Sequence, residues 1–391
     1  MRMVARSASD IELSLIAPTY NEKENIAHLV ERVHTSLSPS SVAGYELIVV
    51  DDDSPDGTAE IAKSLSRDYP VRVIVRTKER GLASAVVAGF REAKGEVLGV
   101  IDADLQHPPE SLPGLLEAIR GGADVAIGSR YIEGGGTEGW SAKRKIISRV
   151  ASRITRIPAR LLLPSIKGIN DPLTGFFLFK REVIAGATLS PIGYKILLEV
   201  LVKGNARQVK EVPYTFVGRE RGKSNLTLRQ QVNFLVHLLR LAWFEGNLKR
   251  FLKFCLVGAS GTLVNWGLLT LCTEVGGLHY RWSAVIAYEF SILNNFTWNE
   301  LWTFRDRRTP GKSTLLRRLL KYNTATGAGV GIHVGMLTLF TDVVGFRYNG
   351  LSWVIATACV VIWDFSWSVL WTWRVKHRGK DTEALILEKD T

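Results

Sequence analysis

The chain has 391 residues and carries 50 Lys and Arg against 38 Asp and Glu, a net charge of +12. That length accommodates one large domain and a second module, and the positive excess suits phosphate-bearing partners or an anionic membrane surface. The composition is uneven: residues 1–250 read as a charged α/β protein and most of 251–375 as lipid-facing, which makes nucleic acid a poor candidate.

The first apolar run, Ile11 to Ala17, is too short for a signal peptide and stops at Pro18, so the N-terminal domain is expected in the cytoplasm. From there strand and helix alternate. Apolar runs at 11–17, 46–50, 71–75, 97–101 and 124–128 predict strands, with helical patterns between them at 23–37, 57–67, 83–93 and 109–120. This alternation predicts a mostly parallel, Rossmann-like sheet with helices on both faces, whose ligands bind beyond the carboxyl ends of the strands.

The chemically notable residues fall at those ends. Pro18, Tyr20 and Glu22 follow the first strand, and Asp51, Asp52 and Asp53 the second. Asp102, Ala103, Asp104 and Gln106 follow the fourth, and Gly128, Ser129 and Arg130 the fifth. The aspartates at 51–53, taken alone, read as a capped turn into the next helix. Asp102 and Asp104 say more: two carboxylates one residue apart, with an amide oxygen two further on, form a hard oxygen-ligand set suited to Mg2+ or Mn2+ bridging to a diphosphate.

Residues 143–167 hold eight Lys and Arg and no acid, with Ile147, Val150, Ile154, Ile157 and Leu161 at helical spacing. Apolar and basic stripes of this kind predict a helix in the membrane interface, divided at Pro158; the alternative is a core-packed helix with a solvated basic face. Leu228, Val232, Leu235, Leu239 and Trp243 make a second amphipathic stretch over 226–249.

Four apolar segments near 251–273, 281–303, 319–343 and 350–373 are long enough to cross a bilayer, which needs about 20 residues each. Glu289, Glu300, His333, Asp342 and Asp364 interrupt them and are expected to face other helices or the interface. The segments are two copies of one hairpin. RFLKFCLVGASGTLVNWGLLTL (250–271) aligns with RLLKYNTATGAGVGIHVGMLTL (318–339), and WNELWTFR (298–305) with WSVLWTWR (367–374). The small residues Gly258, Ala259 and Gly261 in the first copy, and Gly327, Ala328 and Gly329 in the second, are expected to let helices approach closely. Cys255, Cys272 and Cys359 all lie here without zinc or CxxC spacing and read as small residues in apolar helices. The basic loops at 305–318 and 374–380 predict a multi-pass protein with those loops, and the N-terminal domain, on the cytoplasmic face.

APTYNEKENI, VVDDDSPDGT, RTKERGLASAV, DADLQHPPE, GSRYIEGG, DPLTGFFLFKREV, PIGYKILLEVLVKG and EVPYTFVGRERGKSNL, in that order, resemble segments of the dolichyl-phosphate mannose synthases, family 2 glycosyltransferases of GT-A fold. The match spans about residues 11–226, and the membrane region looks like the GtrA-like domain that follows such transferases in some prokaryotes. The resemblance implies a GT-A domain over 1–225, an interface helix at about 143–164, an amphipathic linker at 226–250, four membrane helices over 251–375 and a cytoplasmic tail at 376–391. It implies that Pro18, Tyr20, Glu22, Val50, Asp52 and Ala103 hold the nucleoside, that Asp102 meets the donor sugar or ribose and the metal, and that Asp104 and Gln106 bind the metal. Arg130 and Arg219 would meet phosphates, and Arg144 and Ser148 the lipid phosphate. The chain departs from the family at Ser224-Asn225-Leu226, where Ser-Lys-Leu is usual; Lys223 or Arg221 would have to take the lysine's place. The implied activity is inverting, metal-dependent transfer of mannose from GDP-mannose to dolichyl or another polyprenyl phosphate. UDP-glucose is the rival donor. A processive synthase lacks support because no Gln-x-x-Arg-Trp motif precedes the membrane helices. A lipid-carrier translocator would have no need of the Asp102–Asp104 set.

Overall fold

The structure is a computed structural model that describes residues 11–37, 42, 44–138, 162–218, 228–308, 311–343 and 349–374. The chain divides into two compact units, one running to Glu245 and one from Gly246.

In the first unit β1 (Leu13–Thr19), β2 (Tyr45–Asp51), β3 (Val71–Val75), β4 (Val97–Val100) and β5 (Val125–Ser129) alternate with α1 (Ile26–Leu37), α2 (Thr58–Leu65), α3 (Leu82–Glu92) and α4 (Leu112–Arg120). These match the predicted strands and helices. After β5 come β6 (Gly136–Thr137), β7 (Phe177–Lys180), α5 (Ile196–Lys203), β8 (Val209–Pro213), β9 (Thr215–Phe216) and α6 (Leu228–Phe244). The main sheet has seven strands in the order β3-β2-β1-β4-β7-β5-β8, with β6 and β9 forming a separate pair. All its neighbouring pairs are parallel except those made by β7. Every residue of β1 is buried, as befits a central strand covered on both faces, and its LSLIAPT sequence shows no polar alternation for that reason. Leu15 and Ile16 are fully buried, so Leu15→Ala would cost about 2–5 kcal/mol.

The first half of the sheet thus brings the ends of β1, β2 and β4 to one edge, and antiparallel β7 delivers the residues that precede it to the same edge. α6 buries Leu238, Leu241 and Ala242 within the first unit, while Val232, Leu235, Leu239 and Trp243 are exposed. This is the stripe anticipated from the sequence, apart from Leu228, whose side chain lies outside the described residues.

The second unit consists of α7 (Asn247–Thr270), α8 (Tyr280–Trp298), α9 (Lys312–Thr338) and α10 (Asn349–Trp367), each ending in a π-helical turn: Leu271–Val275, Asn299–Thr303, Leu339–Val343 and Ser368–Thr372. α7 packs on α8 and α9 on α10, and the turns recur at matching places in both hairpins, so the repeat read in the sequence is a repeat of structure. Two of the four helices, Asn247–Val275 and Gly350–Thr372, are long and apolar enough to cross a membrane. The other two carry more charge, including Arg281 and Glu289 in α8 and Arg317, Arg318 and Lys321 in α9. Close approach falls on one glycine in each hairpin. A Cβ at Gly261 would run into Asn295, and one at Gly329 would lie 3.1 Å from Asp364. Gly258 and Gly327 face open space, contrary to expectation, because a helix meets its neighbour along one face only.

Candidate active site

The edge beyond β1, β2, β4 and β5 gathers most of the residues expected there. Asp51 is a brace: its carboxylate accepts from Thr19 Oγ1 at 2.8 Å, Ser54 N at 2.8 Å and Ser54 Oγ at 2.6 Å. That ties β2 to the end of β1. Asp52 is also buried, and both its oxygens are engaged. Arg76 Nε donates to Oδ1 at 2.8 Å, Nη2 does so more closely, and Gly81 N donates to Oδ2 at 2.6 Å. Asp52 therefore fixes the loop that enters α3. Tyr20 is 44% exposed, with the Arg80 guanidinium 5.3 Å from its ring centroid. The Glu22 amide donates to Thr58 Oγ1 at 3.0 Å, and its carboxylate accepts from Asn25 at 2.7 Å. Pro18 and Val50 are buried in β1 and β2.

Beyond β4 the chain turns sharply, with Leu105 in the left-handed region at φ 60°. This lets Asp104 Oδ1 accept from Gln106 N at 3.2 Å. Gln106 is anchored in turn: its Nε2 donates to Val217 O at 3.4 Å and its own carbonyl accepts from Val217 N at 3.2 Å. Asp102 is partly exposed. Gly175, just before β7, lies against it; a Cβ there would sit 3.0 Å from Oδ2 and 3.2 Å from Oδ1. The glycine of DPLTGFF thus leaves room for a carboxylate. Ala103 points into the core between the two acids. Among the described residues no three His, Cys, Asp or Glu side chains form a metal-binding group. The candidate hard-ligand set is two carboxylates and an amide, which alone would not fill the coordination shell of a hard divalent ion.

Arg130, after β5, is held fork to fork. Nε donates to Asp171 Oδ2 at 2.7 Å and Nη2 to Oδ1 at 3.0 Å. Asp171 is positioned by Glu211, which accepts from the backbone amides of Asn170 and Asp171 at 2.8 and 2.9 Å. The guanidinium lies 5.2 Å from the rings of Phe216 and Tyr131. Burial works against its charge, but the Asp171 carboxylate outweighs that and pushes its pKa above the ordinary arginine value.

Three further residues were not singled out from the sequence. Asp171 orients Arg130. Lys195, at the start of α5, donates from Nζ to Leu173 O at 2.5 Å. Desolvation of its ammonium, with Arg130 adding repulsion, pulls its pKa down to about 8 against the attraction of Asp102 and Asp171. His107 is buried, stacked on Phe176 at 5.4 Å, with Nδ1 3.3 Å from Asp102 Oδ2 and no hydrogen-bond partner. Desolvation lowers its pKa to about 4, so it is neutral beside the acids. Asp171 and Lys195 fall inside DPLTGFF and PIGYKILLEV, so the signal was present as motif, without an obvious role. Arg144, Ser148, Arg219, Arg221, Lys223, Asn225 and nearly all of the expected 143–164 helix lie outside the described residues.

A family model for glycosyl transferase family 2 matches residues 14–185, and one for the GtrA/DPMS transmembrane domain matches 253–373. A dolichol-phosphate mannosyltransferase of Pyrococcus furiosus is 46% identical over 357 residues, covering 91% of this chain and 96% of that protein. The dolichol-phosphate mannosyltransferase of Saccharomyces cerevisiae is 39% identical over 62% of this chain and 93% of its own length. A polyprenol monophosphomannose synthase of Mycolicibacterium smegmatis is 39% identical over 54% of this chain and 80% of its own.

Proposed function

The chain belongs to the dolichol-phosphate mannosyltransferases, glycosyltransferases of family 2, and from that premise we propose that it moves mannose from GDP-mannose to a polyprenyl phosphate such as dolichyl phosphate, with inversion and with Mg2+ or Mn2+ at the donor diphosphate. The observation that carries this reading is the meeting at one sheet edge of Asp102, Asp104 and Gln106 with an Arg130 guanidinium already oriented by Asp171.

On this reading Tyr20, with its exposed ring, and Pro18, Glu22, Val50, Asp52 and Ala103 form the nucleoside side of the site. Asp102, Asp104 and the Gln106 amide would hold the ion, for which their hard oxygens fit. When bound, the ion offsets negative charge on the departing diphosphate. Arg130, Lys195 and Arg219 supply protein cations for the phosphates. The acceptor needs no side chain as base. A phosphate monoester has a second pKa near 6 and is largely a dianion at neutral pH. Its oxygen attacks the anomeric carbon directly as the diphosphate leaves from the opposite face. What the site must do is hold two anionic groups together, a task suited to guanidinium forks; Arg130, Arg144 and Ser148 are assigned to the acceptor.

The exposed stripe of α6 supports an interfacial placement of the catalytic unit. The basic loops support four membrane passes with that unit on the cytoplasmic face. The test is full-length protein in detergent, given polyprenyl phosphate and a panel of radiolabelled sugar nucleotides, with lipid-linked product extracted. GDP-mannose is expected to give the most product, and chelator to abolish it. Greater transfer from UDP-glucose, or no lipid-linked sugar at all, would overturn the reading.

A further inference from the structure

The two hairpins of the second unit differ where their sequences should be equivalent. In both, a lysine stands over a tryptophan: Lys253 lies 5.2 Å from the Trp302 ring centroid and Lys321 lies 5.2 Å from that of Trp371. These residues correspond in the repeat, at offsets of 68 and 69 positions. In the second hairpin Lys321 is committed, donating to Trp371 O at 3.2 Å. Trp363, Trp367 and Trp371 form a ladder at 5.2 and 5.3 Å between rings, and Trp363 Nε1 donates to Ala325 O at 3.1 Å. Trp363 therefore lies on α9 at the position matching Val257 of α7.

In the first hairpin the residue matching Trp363 is Asn294, a short side chain that donates to Ser260 Oγ at 3.0 Å. The ladder is reduced to Trp298 and Trp302, both more than 40% exposed. An apolar groove of about 510 Å3 opens there, lined by Leu256, Val257, Ser260, Trp298, Leu301 and Trp302. Lys253 is one helical turn before Leu256 and Val257 on the same face of α7. Among the described residues no carboxylate lies within ion-pair distance of it.

We propose that this groove in the first hairpin is a second binding site for the polyprenyl phosphate, apart from the acceptor site assigned to Arg130, Arg144 and Ser148, with a stretch of the isoprenoid chain between Trp298, Trp302 and Leu256 and the phosphate at Lys253. The proposal rests on the reading of the acceptor given above. One groove with one cation at its mouth matches a lipid with one chain and one terminal phosphate, whereas a phospholipid brings two chains on a diester. The filled second hairpin points the same way. Ordinary bilayer lipid would meet both hairpins alike, whereas among the described residues Trp363 and the Lys321 bond to Trp371 O occupy in the second hairpin the places that Asn294 and Lys253 leave open in the first.

The test uses full-length protein in nanodiscs and a polyprenyl phosphate with a photoreactive diazirine in its chain. Label is mapped to peptides of 251–305 and 319–374, and mannosyl transfer to the same lipid is measured in parallel. Label in the first hairpin, concentrated near 256–260 and 298–302, is expected to exceed that in the second. Asn294→Trp, which copies the second hairpin, should cut it about tenfold, and Lys253→Glu should weaken it by a similar factor at the mouth. Trp363→Asn should raise label in the second hairpin. Equal labelling of the hairpins, or displacement of label by excess phosphatidylglycerol as effectively as by unlabelled polyprenyl phosphate, would overturn the proposal. Lys253→Glu alters a partly exposed side chain without adding bulk to the groove, which keeps the test informative if Asn294→Trp fails to fold. If no transfer to this lipid occurs, the acceptor reading fails; if transfer occurs and the groove is not labelled, the groove proposal alone fails.

Discussion

Each unit contains an arginine–carboxylate fork with both partners largely buried, unlike the more exposed forks of Arg32 with Glu110 and Arg120 with Glu12. Arg130 grips Asp171 through two hydrogen bonds of 2.7 and 3.0 Å. Arg318 grips Glu300 through two of 2.6 and 3.1 Å. The surroundings differ. Glu300 also accepts from Trp373 Nε1 at 2.7 Å, and the Trp373 ring is stacked on Phe304 at 4.4 Å, which seals the pair among aromatics. Arg130 keeps 17% of its side chain exposed and shares its neighbourhood with Asp102 and with a lysine whose pKa is pulled down to about 8. A buried fork of arginine and carboxylate is thus weak evidence of a site by itself. It becomes one where it faces other ionisable groups whose charges are not mutually settled.

Breaking the site should cost more than breaking either pair. Asp104→Asn removes one hard ligand while keeping the Oδ1 acceptor that caps Gln106 N. Turnover is expected to fall on the order of a thousandfold with little change in thermal stability, and chelation should mimic it. Steady-state kinetics and a melting curve check both halves, and full activity in excess chelator would contradict the metal assignment.

Next in size is the contrast between the pairs. Glu300→Ala strands Arg318 in an aromatic pocket and should destabilise the second unit by about 3–5 kcal/mol, while nucleotide binding by the first unit survives. Asp171→Asn keeps the shape of its partner but loosens the Arg130 fork. It should lower kcat/KM about 10- to 100-fold with a smaller loss of stability. If both variants lose stability and neither loses turnover at constant folded fraction, the distinction drawn between the two pairs is wrong. A smaller effect is expected from Gly175→Ala, whose Cβ would lie 3.0 Å from Asp102 Oδ2. Displacing that carboxylate should raise the metal concentration needed for half-maximal activity about tenfold.

The first five strands and four helices were legible because each is a local pattern: an apolar run, or a 3.6-residue period. The acids at strand ends followed from topology alone. β7 was not legible. Phe177, Leu178 and Phe179 are buried on both faces and show no alternation, and the strand inserts between β4 and β5 by a non-local pairing that no neighbouring residue announces. Asp171 and Lys195 were hidden for the same reason: their roles depend on Arg130 and Asp102, distant in the chain. In the second unit the repeat was plain in sequence. Which of its glycines meets a neighbour was not, since Gly258 and Gly261 look alike until the helix faces are assigned.

The smallest effect concerns pH, and it separates the site from the sealed pair most finely. Two groups at the site should titrate in the working range. The acceptor phosphate loses its second proton near pH 6, so transfer rises through that range. Lys195 has a pKa lowered to about 8 by desolvation, from an ordinary value near 10.4. Its charged form is disfavoured in the fold, so the cost to stability is present below about 8 and is relieved as pH climbs toward the ordinary value. Its use to an anionic donor runs the other way, because the charge disappears above about 8. The donor KM should therefore rise several-fold between pH 7.5 and 9, giving a bell-shaped kcat/KM. His107, lowered to about 4, remains neutral across this range and contributes to neither limb. Lys195→Met should have a higher donor KM at pH 7, no alkaline limb, and a stability advantage over the parent at pH 7 that shrinks toward pH 10. Glu300→Gln, in the other unit, should leave the shape of the profile unchanged. An alkaline limb that persists in Lys195→Met would assign it to another group and remove Lys195 from the donor side of the site.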